Sequence, residues 1–430
     1  MSIFKKAAKD ASKTTGNLVG NMASVNAQNS TNAAVDGMDL FRWKMGTPII
    51  QNGHFDQQKG NLFEYIEAAK FNADAAGKGM SARAVVTDVY DQGAAADILI
   101  KEGGKVQKEV QAKFVKSSNK DVENSAARSV FDQAGGQKGH WGKYKGMDRL
   151  IRKDEHYNAE GSMLDEAKKL AKSRVESGSI HAEDFKDVHE HLTDELHYGD
   201  ASSGGTTFEE VQMAYESPEK YAKAFERKAV KAEMKCTAAN MAKASFVTTG
   251  ILSGVTNMFE VFQDKKELAE ALHDVGADAI KGAARGGATG VVSTAIRYKG
   301  IKAGSALLSD SAAATVMAGG IIDGGVALYS YARGEIDEQQ LKEQLVDTTA
   351  KAATTIYFTK AVGTIMGSAV NPILPMVVYT FEYNLETGEN YDQALYAICQ
   401  FADEAGIALQ HVVFDEFSNA MRSKESFVLK

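Results

Sequence analysis

The sequence predicts an α+β chain: an N-terminal α-β-β-β-α-β core, followed by a mainly α-helical, Gly/Ala-rich C-terminal region. Three observations lead there. Short β-branched runs cluster between residues 82 and 115, and two of them are separated by Gly103-Gly104. Apolar residues at three-to-four spacing precede these runs and dominate again beyond residue 158. Only 4 prolines interrupt 430 residues, so long helices are permitted.

Residues 1–45 are rich in Ala, Asn, Ser and Thr and read as an N-terminal arm or linker. Phe4, Ala8 and Ala11, then Leu18 and Val19, hint at a short amphipathic helix, and 26–32 reads as flexible connection. The α/β core spans 46–157. Its first helix covers 61–76, where Leu62, Phe63, Ile66, Ala69 and Ala73 share one face. Strands follow at 82–90, 96–100 and 105–115, and Glu102-Gly103-Gly104 makes a hairpin of the last two. A second helix is expected at 121–133, then a Gly-rich loop at 135–146 and a short strand at 147–151.

Residues 158–245 form a charged helical region with segments at 162–177, 183–196 and 208–241. The last is split near Ser217-Pro218, where proline suits the first turn of a new helix. Residues 246–430 form a Gly/Ala-rich helical domain. Pairs such as Gly286/Gly290 and Gly363/Gly367 let helix backbones approach closely. These helices are also the expected route to a homo-oligomer. Residues 361–381 carry no charge over a length that could span a bilayer, but Asn371, Pro372 and Pro375 interrupt them. A packed helical domain is favoured, with membrane contact as the alternative.

A net charge of -8 argues against a chain that coats nucleic acid along its whole surface, and leaves room for a local basic site. Cys236 and Cys399 lie far apart with no partner at metal-ligand spacing, so no disulfide framework or zinc knuckle is expected. The start, Met-Ser-Ile-Phe-Lys-Lys, turns polar without an apolar run and does not read as a secretory signal. A cytoplasmic protein is expected.

The chemistry concentrates between Asp97 and Lys113. Phosphodiester hydrolysis calls for a divalent cation on hard oxygen ligands and a protein cation to offset charge growing on the phosphate. Glu109, Gln111 and Lys113 are spaced by two, so they share one face of a strand, and that face can lie beside Asp97 on the neighbouring strand. Val110, Ala112 and Phe114 alternate with them and would pack beneath the helices. The plain alternative is a solvated hairpin face.

Asp97 followed by Gln111-Ala112-Lys113 resembles the PD-(D/E)XK nuclease superfamily, in the Mrr-like restriction endonuclease variant where Gln replaces the acidic residue. The element order is similar to that restriction-endonuclease-like core, and the resemblance covers roughly residues 50–156. It implies a metal-dependent endonuclease acting on nucleic acid, with DNA as the expected substrate class and Mg²⁺ or else Mn²⁺ as cofactor. Asp97 would be the bridging metal ligand, Gln111 would coordinate through its amide oxygen, and Lys113 would position water or steady the phosphorus. A Glu on the first helix would complete the metal set; Glu64 is the candidate, and Glu67 lies one turn on. Two positions depart from the superfamily: no proline precedes Asp97, and Gln111 removes a negative ligand.

Flanking charge suits a polyanion. Between Lys105 and Lys153 twelve basic residues face five acids. Lys116, Lys138, Lys143 and Lys145 would contact the backbone, and Trp141 would stack on an unpaired base, unless it anchors its loop on the core. His189, His191 and His197 lack helical i, i+4 spacing and read as a solvated face. No nucleotide-cradling loop accompanies the Gly-Gly pairs. Joining such a nuclease to Gly/Ala-rich helices is similar to effectors of bacterial conflict systems such as phage defence. The alternatives are a membrane-associating helical effector and a non-catalytic nucleic-acid-binding scaffold.

Overall fold

A computed structural model describes residue 17 and residues 19–89, 94–114, 144–153, 163–178, 182–262 and 268–332, with a few positions between 335 and 344. The chain divides into two compact units, Val25–Glu233 and the remainder, Met1–Ser24 with Met234–Lys430.

The Val25–Glu233 unit is α+β. Helix α1 (Val25–Met45) occupies most of the stretch read as an arm, including 26–32. That reading failed because local propensity was the wrong guide. Asn, Ser and Thr are poor helix formers, but Thr31, Ala34, Val35, Met38 and Phe41 fall on one side and are buried. They pack near α3 (Phe55–Gly77), which follows the short α2 (Pro48–Gln51). Gly37 permits this closeness: a Cβ there would meet the Ala69 Cβ at 2.7 Å.

Five strands form a mixed sheet in the order β1-β2-β3-β4-β5. They are β1 (Arg83–Val86), β2 (Ile98–Glu102), β3 (Lys105–Lys113), β4 (Asp148–Ile151) and β5 (Leu192–Thr193). The first three pair antiparallel, while β3/β4 and β4/β5 are parallel. Gly103 and Gly104 both take positive φ (57° and 78°), as the tight two-residue hairpin between β2 and β3 demands. On one face Ala84, Val86, Ile98, Ile100, Val110, Ala112 and Leu150 join Leu62, Phe63 and Ile66 of α3 in a single core. The expected second helix at 121–133 lies outside the described residues.

Helices α4 (Met163–Glu176) and α5 (Ala182–His191) come next. On β4, Arg149 donates from Nη2 to Asp187 Oδ2 of α5 at 2.8 Å, tying that helix to the sheet. Where a helix was expected to continue to 196, the chain instead makes β5 and then a small hairpin, β6 (His197–Tyr198) with β7 (Ala201–Ser202). Two-residue strands are too short to show a period. Helix α6 (Phe208–Glu216) begins at Thr207, whose hydroxyl accepts from the Glu210 N–H. Helix α7 starts at Pro218, as the Ser217-Pro218 break predicts, and runs to Phe262. Val211, Ala214, Tyr221 and Ala222 enter the same core as the sheet. The α/β unit therefore extends well beyond both ends of the expected 46–157 core.

In the other unit the described helices are the later part of α7, α8 (Leu268–Lys302), α9 (Ala306–Ser309) and α10 (Ser311–Ala332). A Cβ on Gly290 would lie 2.8 Å from the Ala238 backbone, so α7 and α8 touch main chain to main chain. Arg285 donates from Nε to Asp323 Oδ1 at 2.8 Å, linking α8 to α10. Among the described residues no helix is long and apolar enough to cross a membrane; residues 361–381 lie outside them.

Candidate active site at the open end of the hairpin

Asp97 is held before its side chain does anything. Its N–H donates to the Val110 carbonyl at 2.8 Å, and its own carbonyl accepts from the Thr87 N–H at 2.9 Å. The Thr87 hydroxyl also bonds the neighbouring Ala96 carbonyl at 2.7 Å. Thr87 begins the 3₁₀ turn Thr87–Val89 that follows β1. Asp97 is thus pinned from both sides.

A β-bulge shifts the pairing of β2 with β3 before it reaches Asp97. Pairing runs Glu102↔Lys105 and Lys101↔Val106, then jumps to Ile100↔Lys108, leaving Gln107 as the extra residue. After the bulge Ile98 pairs with Val110, the last pair of the ladder, and the Asp97 N–H bonds the carbonyl of that same Val110. The Asp97 carboxylate reaches over the strand end, and Oδ2 accepts from the Ala112 N–H at 2.8 Å. Lys113 Nζ stands 3.9 Å from the same oxygen.

Gln111 is 2% exposed and pairs with Arg149 on β4. Glu109 is exposed and Lys113 half-buried. Glu64 comes from α3 and is partly buried. Burial holds its carboxyl well above the usual carboxylate range; the charges of Asp97 and Asp88 push it the same way, while Lys113 and Lys44 oppose them. Asp97, Lys113 and Glu64 thus share one electrostatic neighbourhood.

Glu67 does not join them. One turn along α3, it is fully buried and accepts a hydrogen bond from the Ser203 hydroxyl. Lys44, Tyr65 and Asp88, which sequence reasoning missed, lie beside Glu64 instead. Lys44 and Tyr65 both bond Asp88. Nothing in local spacing could reveal them, since they come from α1, α3 and the turn after β1.

Among the described residues no three His, Cys, Asp or Glu side chains form a metal cage of their own. The oxygen donors that act on one another there are two carboxylates, Glu64 and Asp97. Such a set matches a hard cation that keeps several waters. Two carboxylates set close in a partly buried pocket repel each other, and a divalent cation between them would relieve that repulsion. Of the expected nucleic-acid contacts, Lys145 is exposed; Lys116, Lys138, Trp141 and Lys143 lie outside the described residues. His191 bonds within its own helix, its Nδ1 lying 2.9 Å from the Asp187 carbonyl oxygen. No family model, curated protein or solved structure matches the chain.

Proposed function

We propose that the chain is a divalent-metal-dependent nuclease that hydrolyses phosphodiester bonds of DNA, with its site at Asp97, Gln111, Lys113 and Glu64. The observation that carries this reading is the 3.9 Å approach of Lys113 Nζ to Asp97 Oδ2, at a strand end where Glu64 also acts. Glu64, Asp97 and the Gln111 amide would hold Mg²⁺, or Mn²⁺ in its place. When bound, the cation supplies Lewis-acid polarisation of the phosphate and lowers the pKa of water.

The protein's own groups do the rest. Asp97 cannot swing away, because its backbone is bonded on both sides and its carboxylate is clamped by Ala112 N–H. Such fixed placement is worth much of a catalytic barrier. Lys113 brings an ammonium to the place where phosphoryl charge would grow, and a half-buried cation there is stronger than one in open water.

Incubation of the intact chain with linear, circular and single-stranded DNA, in Mg²⁺ and in EDTA, tests the proposal. Cleavage in Mg²⁺ that is lost in EDTA and in Asp97→Ala is expected. Equal cutting by parent, Asp97→Ala and Lys113→Ala would remove the site assignment. A second reading, a non-catalytic nucleic-acid-binding scaffold, is favoured by one feature: the amide Gln111 stands where a third acid would strengthen metal binding. Retained DNA binding without cleavage in any divalent ion would select it.

A further inference from the structure

Among the described residues β1 is the outermost strand of its sheet, paired on one side with β2. Backbone groups of successive residues in an antiparallel ladder point alternately to its two sides. Those of Ala84 are taken by a side chain of α3. The Ala84 N–H donates to Asn72 Oδ1 at 2.7 Å, and Asn72 Nδ2 donates to the Ala84 carbonyl at 2.9 Å. A side-chain amide carries the donor and acceptor of a peptide group, so Asn72 stands in for the backbone of a further strand. Asparagine is a poor choice for the interior of a helix, and these two bonds give it a purpose there.

A sheet edge with free donors and acceptors is a template for another strand, and this edge fits a second β1. Two facing residues of an antiparallel pair exchange both N–H···O bonds. Two copies of Ala84 related by a two-fold axis would therefore give each other what Asn72 gives now. That register sets Arg83 of one copy across from Val85 of the other, so no like charges meet. Ala84 and Val86 are buried in the core shared with α3, while Arg83 and Val85 alternate with them and are half-buried. Pairing at the edge would leave that core in place. We propose that the outer edge of β1 is a strand-pairing surface for a second copy of this chain, and that Asn72 holds it closed.

The test is hydrogen exchange at the Ala84 amide of the full chain, with sedimentation velocity, over a wide range of protein concentration. In the wild type this amide is expected to be protected to the same degree throughout. Asn72→Ala removes both bonds without weakening α3, since alanine is the better helix former. In dilute solution its Ala84 amide should exchange roughly tenfold faster. Raising the concentration should restore the protection and shift sedimentation toward a larger species than the wild type forms. Adding Val85→Lys to Asn72→Ala sets a lysine against Arg83 of the other copy and should suppress both changes. Asn72→Asp keeps an acceptor for the Ala84 N–H and places a charge at the edge, so it should remain protected and show no added association. Asn72→Ser is too short to reach both groups of Ala84 and serves in place of Asn72→Ala if that variant does not fold. An Ala84 amide that stays protected in dilute Asn72→Ala shows that Asn72 is not what closes the edge. Fast exchange at every concentration, or equal association with Val85→Lys present, overturns pairing with a second β1.

Discussion

Replacing Glu67 with glutamine isolates the cost of a carboxyl buried between α3 and the segment after β7. Glu67 is fully buried, and Oε2 accepts from the Ser203 hydroxyl. Burial pushes its pKa from 4.5 up to about 7, with Ser203, Thr206 and Lys70 opposing. The folded protein therefore holds this proton more tightly than the unfolded chain does. The resulting stabilisation is complete below pH 4.5, declines as pH rises toward 7, and is gone above that. At about 1.4 kcal/mol per pH unit the whole effect is about 3 kcal/mol, with roughly 2–3 kcal/mol of it lost between pH 5 and pH 8. Glutamine keeps an acceptor for Ser203 and does not titrate.

The assay is urea unfolding of the full chain followed by tryptophan fluorescence. Both tryptophans, Trp43 and Trp141, fall within Val25–Glu233, so the signal belongs to the unit that contains Glu67. Other groups titrate equally in both proteins and cancel in the difference. Glu67→Gln should gain about 2–3 kcal/mol over the wild type on going from pH 5 to pH 8. Stability curves that stay parallel across that range would refute the assignment of a raised carboxyl to Glu67.

Three further outcomes are expected. Lys113→Ala should lower DNA cleavage by roughly 10²–10³-fold in kcat while unfolding free energy shifts by less than about 1 kcal/mol, because the ion pair is long and partly solvated. Asp97→Asn keeps an acceptor for the Ala112 N–H but loses the charge, so Mg²⁺-dependent cleavage should disappear while the circular dichroism spectrum is unchanged. Gly37→Val forces bulk into the 2.7 Å approach to Ala69 and should destabilise the Val25–Glu233 unit by about 1–3 kcal/mol in urea, read by the same fluorescence.

Local information was enough for several elements. Gly103-Gly104 accepts the two positive φ angles of a tight turn, and the alternation of Val110, Gln111, Ala112 and Lys113 assigns faces on β3; neither depends on distant residues. The same holds for the break at Ser217-Pro218, where proline lacks the N–H a continuing helix would need. Helix α1 was not legible, because its polar composition is overridden by burial of Val35, Met38 and Phe41 in a core built with residues far along the chain. The neighbourhood of Glu64 is of the same kind: Lys44, Asp88 and Asp97 lie on separate elements that only folding gathers.

The sequence by itself determined which side chains share the β3 face and that a hairpin joins β3 to β2. Only the tertiary structure decided that the Asp97 carboxylate accepts from the Ala112 N–H and stands 3.9 Å from Lys113 Nζ. Side chains alternate with a period of two, so the single extra residue at Gln107 shifts by one the β3 residue met by β2 beyond it, and Ile98 pairs with Val110 rather than Glu109. A bulge answers to the packing of the whole sheet, and no spacing within residues 97–113 announces it.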